Sequence, residues 1–352
     1  MTLTVLSVAS PFAPIGLEGD DEASAVLTAL DAALVRAGHR SLVVAPDGSR
    51  VAGTLIPLPP ARGPLGEPAR AIVHSRVRAV VAETLDRAAV DLVHLHATGF
   101  HAHLPPPGVP VLVTLHQPFG HYPPAALAPS REGTWLHGIS TAQTRTAPAG
   151  VKLLPPIEIG VSVDKLSIRV PKRRFAVALG AIAPDSGVHV ALDAAGMADM
   201  QILLAGEVAA DPEQQRYFRE EIHPRLDGRR RFLGSVGFAR KRWMLGSARC
   251  LLAPSREPGA GATAALEALA CGTPVVAFAQ GALADVIEPG VTGFLVNDLQ
   301  EMADAIAAAE QIDPDACRAA ARSRHSEERM ASRYLTLYED LVAGEARAVG
   351  VA

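Results

Sequence analysis

Five histidines in the first third of the chain have side chains that could do chemistry. His94, His96, His101 and His103 follow one another closely, and His116 ends a largely apolar stretch. Imidazoles bind metal ions and transfer protons near neutral pH. The first four match no zinc-ligand spacing and no cysteine accompanies them, so no metal site is predicted. His116 either points into a ligand cleft or is a rim residue whose hydrogen bonds are satisfied within the protein.

A second candidate site lies in the second half of the chain, where Gly261, Ala262, Thr263 and Ala264 open a predicted helix. The first amides of a helix have no partner within it and carry partial positive charge, so they can bind a phosphate oxygen without a charged side chain. Thr263 either adds its hydroxyl to such a site or caps the helix. Glu267, on the same helix, is either a ligand contact or a solvated carboxylate.

Basic residues are concentrated shortly before that helix. They form either a solvated surface or a phosphate contact, for which Arg240 is the candidate. The cluster consists of Arg229, Arg230, Arg231, Arg240, Lys241 and Arg242.

Short apolar runs alternate with stretches of helical periodicity, which predicts parallel sheets covered by helices on both faces. A stretch rich in proline and glycine, 57–68, predicts a surface loop. The last helix, 326–344, has Met330, Tyr334, Leu337, Tyr338 and Leu341 on one face, and we expect that face to pack against a domain. The predicted strands are 3–9, 41–45, 91–96 and 109–116 in the first half, and 175–179, 201–205, 250–253 and 274–278 in the second.

The length of 352 residues favours two domains. We predict them at 1–168 and 169–325, with the segment 326–352 as a helix that crosses back to the first.

A net charge of −4, from 33 basic and 37 acidic residues, indicates neither a nucleic-acid nor a membrane partner. Three cysteines outside any redox or zinc spacing, and the lack of a signal or membrane-spanning segment, predict a cytoplasmic protein. The oligomeric state is left open.

The segment 254–296, which includes ALEALACGTPVVA, resembles the donor-site signature of the family 4 retaining glycosyltransferases. HRSLVVAP, DLVHLH, VPVLVTLH and SEERMASRYLTLYEDL resemble further segments of that family in the same order, so the resemblance extends from Leu3 to Val342. It implies an α/β fold called GT-B, with two Rossmann-like domains that face each other across a cleft. It also implies transfer of a hexose-type sugar, with retention, from a nucleoside-diphosphate sugar to an unidentified acceptor. The nucleotide-sugar is a substrate, and no cofactor is expected.

The resemblance assigns roles to residues of this chain. Glu267 would receive the ribose hydroxyls, because a carboxylate accepts two hydrogen bonds from a vicinal diol. The segment 261–264 would bind phosphate, and His116 would lie near the transferred sugar as the catalytic candidate.

Several positions depart from the family pattern. In the turn that begins at Gly180, Ala181 and Ser186 replace the arginine and lysine that neutralise the donor diphosphate. Losing two charge-assisted contacts weakens binding by about 1.5–3 kcal/mol each. The first signature glutamate is replaced by Gly259, unless a displaced loop lets Glu257 substitute for it.

A further departure precedes the first helix, where Asp21 and Glu22 replace a pair of glycines. These carboxylates stabilise a helix N-terminus but repel a diphosphate. Because the resemblance covers nearly the whole chain, we predict an enzyme in spite of these departures, with a second hypothesis beside it. The alternative is a degenerate glycosyltransferase fold that is either a non-catalytic binding or scaffolding partner or an enzyme repurposed for a non-standard donor.

Overall fold

The computed structural model describes residues 2–16, 21–59, 66–256, 261–345 and 349–350. It divides into two compact units, one of Met1–Ile159 with Met330–Ala352 and the other of Gly160–Arg329. Each unit contains a six-stranded parallel sheet. In sequence the units divide after Ile159, whereas the predicted boundary followed residue 168. The predicted class, two Rossmann-like α/β units, is confirmed.

The first unit has the strand order β3-β2-β1-β4-β5-β6, and all neighbouring strands are parallel. Its strands are β1 (Thr4–Val8), β2 (Arg40–Pro46), β3 (Thr54–Leu58), β4 (Leu92–Leu95), β5 (Val111–Leu115) and β6 (Thr134–Gly138), followed by the short β7 (Lys152–Leu153). Its helices before residue 160 are α1 (Glu22–Arg36), α2 (Glu67–Arg87) and α3 (Thr141–Arg145).

The second unit repeats this order as β10-β9-β8-β11-β12-β13. Its strands are β8 (Phe175–Leu179), β9 (Gln201–Ala205), β10 (Arg230–Phe232), β11 (Leu251–Ala253), β12 (Val275–Phe278) and β13 (Gly293–Val296). Its helices are α4 (Val163–Leu166), α5 (Val188–Met197), α6 (Pro212–Tyr217), α7 (Phe238–Ser247), α8 (Ala262–Ala270), α9 (Gly281–Val286), α10 (Leu299–Ala308) and α11 (Pro314–Arg324). A helix α12 (Glu327–Ala343) then continues into the first unit, where β14 (Val349–Gly350) pairs antiparallel with β7.

The surface loop predicted at 57–68 is wrong at both ends, because Pro57 and Leu58 belong to β3, and Glu67 and Pro68 begin α2. This strand lies at the edge of the first sheet, with β2 as its neighbour. Proline has no amide hydrogen to donate, and edge strands are the positions in a sheet that tolerate it. Residues 60–65 of the predicted loop lie outside the described part of the chain.

In both sheets the strand order changes direction between the first and the fourth strand, at β1/β4 and at β8/β11. The connections that follow two such strands lie on opposite faces of the sheet. This leaves a crevice beside the carboxyl ends of the two strands. In the second unit these connections are the turn from β8 to α5 and the segment from β11 to α8. The predicted phosphate-binding residues lie on them.

Helix α12 packs onto the first unit through the face that its sequence predicts. Met330, Tyr334, Tyr338 and Leu341 are buried, and Leu337 is partly exposed. Both tyrosine hydroxyls reach polar groups in the interior of the sheet. The helix is therefore held by hydrogen bonds as well as by apolar contact.

A chain of hydrogen bonds runs from α12 through the sheet. His137 Nδ1 lies 3.0 Å from the carbonyl oxygen of Gly138, so Nδ1 carries the proton and Nε2 accepts from the Thr114 hydroxyl at 2.7 Å. The Thr114 oxygen then accepts from His94 Nε2, and His94 Nδ1 accepts from the Tyr338 hydroxyl, both at 2.7 Å. One carbonyl thus fixes the direction of every bond in the chain.

Replacing Tyr338 with phenylalanine leaves the buried Nδ1 acceptor of His94 unsatisfied, and we expect it to lower the free energy of unfolding by about 1–3 kcal/mol. Urea unfolding followed by circular dichroism measures the change. Glu339→Gln, at an exposed position on the same helix, is the control and should unfold like the wild type. Equal stability of Tyr338→Phe and wild type would contradict the assigned chain.

Candidate functional site

The turn after β8 lies against the end of β11. Gly180 and Gly187 have positive φ angles of 143° and 63°, which favour glycine. A Cβ atom at Gly187 would come within 2.5 Å of the carbonyl oxygen of Pro254. The Ser255 hydroxyl also donates to the carbonyl oxygen of Asp185 at 3.2 Å. The connections that leave the two switch-point strands of this unit are therefore in direct contact.

The two substituted positions lie in this turn and have different surroundings. Ala181 is exposed. Ser186 is the last residue of a single 3-10 turn, Pro184–Ser186, and its hydroxyl donates to the carbonyl oxygen of Ala183 at 2.5 Å. The Ser186 side chain thus stabilises its own turn, and neither position supplies a cation.

Helix α8 begins at the same edge of the sheet. Its N-cap is Gly261, with φ at 84°, so the interpretation of Thr263 as the capping residue is wrong. A glycine cap has no side chain to cover the first-turn amides. Ala262 is buried, whereas Thr263, Ala264 and Glu267 are partly exposed. Residues three and four apart share a helix face, so these three present one surface.

Glu267 forms an ion pair with Lys241 of α7, with 2.5 Å between Nζ and Oε1. The side chains are 15% and 29% exposed, so the pair is largely enclosed yet open to solvent on one side. The sequence placed Lys241 in the basic cluster but did not pair it with Glu267. Nothing in the spacing of the two residues signals the contact, because it depends on how α7 packs against α8.

Most other members of the basic cluster make structural contacts. Arg240, the predicted alternative phosphate ligand, is exposed, and its side chain has no hydrogen bond or ion pair with the described residues. Arg231 is also exposed, on β10. Arg229 pairs with Asp199, Arg230 pairs with Asp227, and Arg242 donates to the carbonyl oxygens of Leu166 and Ser167. The predicted positions Glu257 and Gly259 lie outside the described residues.

In the first unit, His96 and His116 follow the neighbouring strands β4 and β5 and meet at their carboxyl ends. His96 Nδ1 lies 3.2 Å from His116 Nε2, and both rings are buried. The other ring nitrogens, His96 Nε2 and His116 Nδ1, have no partner in the part of the chain that the structure describes. Sequence reasoning proposed His116 alone; the structure adds His96.

Asp21 is the N-cap of α1, and its carboxylate accepts from the amide of Ser24 at 2.8 Å. Glu22 is the first residue of the helix. Asp21 is also near enough to His116 to raise its pKa slightly, although burial dominates and lowers that pKa to about 4. His116 is therefore neutral near pH 7, and its ring can donate and accept hydrogen bonds without supplying positive charge.

The remaining clustered histidines have other partners. His94 belongs to the chain that reaches α12, and His103 Nε2 lies 2.7 Å from Nδ1 of His74. His101 is exposed. Within the described ranges, no group of three or more histidine, cysteine, aspartate or glutamate side chains could hold a metal ion. None of the helices in those ranges has the length and apolar composition to cross a membrane.

Each unit is similar to a different glycosyltransferase family model. The family model "Glycosyltransferase Family 4" matches residues 23–147, and "Glycosyl transferases group 1" matches residues 173–311. A curated relative from Methanocaldococcus jannaschii, the uncharacterized glycosyltransferase MJ1178, is 31% identical over 134 residues. That match spans 36% of this chain and only 36% of the relative.

Three solved structures are similar over nearly the whole chain. AviGT4, a glycosyltransferase involved in avilamycin A biosynthesis, has 25% identity and a TM-score of 0.72, covering 97% of this chain and 98% of its own. Sucrose-phosphate synthase from Thermosynechococcus elongatus has 18% identity and a TM-score of 0.76, covering 97% and 100%. Anabaena Alr3699/HepE, in complex with UDP and glucose, has 19% identity and a TM-score of 0.70, covering 95% and 99%. The predicted GT-B fold is confirmed, and the matches together support a family 4 glycosyltransferase.

The buried histidines predict that the protein loses stability in acid. Burial lowers the pKa of His103 and His137 to about 3 and that of His116 to about 4, whereas a histidine in an unfolded chain titrates near pH 6.5. The unfolded chain therefore binds more protons below pH 6.5. Their contribution to the free energy of unfolding is fully present above that pH. It is lost as the pH falls from 6.5 to about 4 for His116 and to about 3 for His103 and His137.

Between pH 7.5 and pH 5, the titration of each of these histidines lowers the free energy of unfolding by about 2 kcal/mol. Urea unfolding at pH 7.5 and pH 5 measures the loss, and His116→Gln should reduce it by one histidine's share. His121→Gln, at an exposed position, is the control and should leave the loss unchanged. A pH dependence that is the same in all three proteins would show that His116 is not buried as a neutral ring.

Proposed function

We propose that this protein transfers a hexose-type sugar from a nucleoside-diphosphate sugar to an acceptor, with retention at the anomeric carbon. The observation that carries the proposal is the geometry of α8. Its glycine-capped N-terminus and Glu267 share one partly exposed face, at the switch point of the second sheet. An anion site at the start of the helix would bind the phosphate groups of a nucleotide, and the carboxylate further along would bind its ribose.

The spacing along α8 fits the order of groups in a nucleoside diphosphate. Glu267 follows Ala262 by five residues, which is about 7.5 Å along a helix axis. Phosphate oxygens at the first-turn amides would leave the ribose diol near the carboxylate of Glu267. The Anabaena protein of similar fold was solved with UDP and with UDP-glucose, which supports a donor of this class. The base and the sugar of the donor stay open.

Transfer breaks the bond between the anomeric carbon and the diphosphate, which leaves with the bonding electrons. It forms a bond from that carbon to an acceptor oxygen, whose proton passes to the departing diphosphate. The negative charge that develops on the diphosphate must be stabilised. The α8 amides supply fixed dipoles for this purpose, and neutral His116 would offer hydrogen bonds to the sugar. Because Ala181 and Ser186 carry no charge, we expect weak donor binding and slow turnover.

A second candidate function is that of a non-catalytic binding or scaffolding protein, or of an enzyme repurposed for a non-standard donor. The observation in its favour is that the turn after β8 has no charged side chain at Ala181 or Ser186. Ala181 is an exposed methyl group, and the hydroxyl of Ser186 is bonded to its own turn. A turn of this kind is compatible with a ligand that carries less phosphate.

Calorimetric titration with the diphosphates of uridine, guanosine and adenosine, and with their sugars, separates the two functions. We expect saturable binding of at least one ligand, and a loss of about tenfold or more in Glu267→Ala because a hydrogen-bonded charged group is removed. Glu220→Ala, at an exposed position in the same unit, is the control. Absence of binding up to millimolar concentrations for every ligand would reject the transferase and leave the second candidate.

Restoring a cation at Ala181 tests whether the turn after β8 faces the diphosphate. We expect Ala181→Arg to bind a nucleoside diphosphate about tenfold or more tightly than the wild type, because one charge-assisted contact is worth about 1.5–3 kcal/mol. The affinity for the free nucleoside should not change. Gln300→Arg on α10 adds the same charge at an exposed position and is the control. An equal gain in both variants would point to the overall charge rather than to the site.

A further inference from the structure

The ion pair between Lys241 and Glu267 is the most enclosed one in the described part of the chain. Its side chains are 29% and 15% exposed, whereas Arg225 and Asp193, the next most enclosed pair, are 27% and 33% exposed. Its carboxylate belongs to the residue proposed to bind ribose. Surface ion pairs contribute little to stability, so the position of this pair calls for a functional reason.

We propose that Lys241 is a positioning residue for ribose recognition, and this inference rests on the proposed donor site. Its ammonium group holds Oε1 of Glu267 and leaves Oε2 for the ribose hydroxyls. Glu267 is thereby fixed before the nucleotide arrives. Preference for ribose over 2′-deoxyribose depends on both residues, although only Glu267 touches the ligand.

The physical reason is preorganisation. A glutamate side chain has three rotatable torsions, and ordering it when a ligand binds lowers the affinity. Here the ordering has already taken place, because Nζ and Oε1 are 2.5 Å apart and each residue lies within a regular helix, α7 or α8. Sites supported by a second residue on rigid elements keep their geometry more closely than unsupported ones.

The location of the contact favours the ribose end of the nucleotide over the phosphate end. Lys241 binds Glu267, which lies about 7.5 Å along the helix axis from Ala262, where phosphate is expected. Arg240, its neighbour in sequence, is exposed and does not contact Glu267. Lys241 therefore differs from the cations that the turn after β8 has lost, since it acts on a carboxylate of the protein.

The test compares three nucleotides on wild type, Lys241→Met and Lys241→Arg. UDP, 2′-deoxy-UDP and UMP are the first set, and the corresponding set for another base replaces them if the wild type binds that base. We expect the wild type to prefer the ribose form about tenfold, Lys241→Met to prefer it about twofold or less, and Lys241→Arg to keep most of the preference. The ratio of diphosphate to monophosphate affinity should not change in Lys241→Met.

Two controls separate positioning from a general effect on folding. Arg322→Met breaks an exposed ion pair with Asp164 in the same unit and should keep the ribose preference. In a Glu267→Gln background, Lys241→Met should have no additional effect on the preference, because the group that it positions has lost its charge. Thermal unfolding of every variant verifies that each one is folded.

Three results would overturn the proposal. A ribose preference that Lys241→Met retains in full, or a wild type that has no such preference, would each show that Lys241 does not position a ribose ligand. A selective fall in the ratio of diphosphate to monophosphate affinity would place Lys241 on the phosphate. A wild type that binds no nucleotide is a different result, since it rejects the proposed function itself.

Discussion

Parallel hydrogen bonding between β8 and β11 is the constraint on which the candidate donor site depends. Leu251 pairs with Val177, so both strands end at the same edge of the sheet. The turn that follows β8 must then lie beside the segment that follows β11, and Gly187 has no room for a Cβ atom because Pro254 is so close. The N-terminus of α8 belongs to the same edge, so the predicted phosphate-binding residues converge.

Backbone and side chains contribute separately to this site. The amides of the first turn of α8 and the positive φ angles at Gly180, Gly187 and Gly261 do not depend on charged side chains. Cations in the turn after β8 can therefore be lost while the backbone that would surround a phosphate is retained. The pair of Lys241 and Glu267 keeps a charged group in an ordered position beside that backbone. The groups present at this edge would suit the positioning of a ligand, whereas Ala181 and Ser186 supply no positive charge.

All eight strands predicted from the sequence are present, and they are the central strands of the two sheets. A strand buried on both faces reads as a continuous apolar run, which is the strongest signal that a sequence contains. The four strands of these sheets that were missed, β3, β6, β10 and β13, are their edges, and the short pair β7 and β14 was missed as well. Edge strands have one neighbour and tolerate residues that interrupt the apolar pattern of a strand. Pro57 in β3 and the arginines of β10 are examples.

The sequence predicts which side chains contact each other across different elements less well than it predicts the strands and helices themselves. Glu267 and the segment 261–264 could be selected because the resemblance covers them. The partner of Glu267 could not be selected, because the sequence does not show how α7 packs and so does not distinguish between the members of the basic cluster. The same applies to His94, whose Tyr338 partner is 244 positions away in sequence. The identity of a polar group can be read from a sequence, whereas its partner follows from packing.

The charge available to a departing diphosphate decides between a slow transferase and a binding protein. Lys241 is committed to a carboxylate, and Ala181 and Ser186 are uncharged. Among the described residues named at this edge, this leaves the α8 dipole and exposed Arg240, together with exposed Arg256, whose guanidinium lies over the ring of Phe278. A helix terminus contributes about 0.3–1 kcal/mol where it is exposed and up to about 2 kcal/mol where it is partly buried. Two charge-assisted contacts would contribute more, about 3–6 kcal/mol together. We therefore expect these groups to hold a phosphate weakly, and to stabilise a departing diphosphate less than two charge-assisted contacts would.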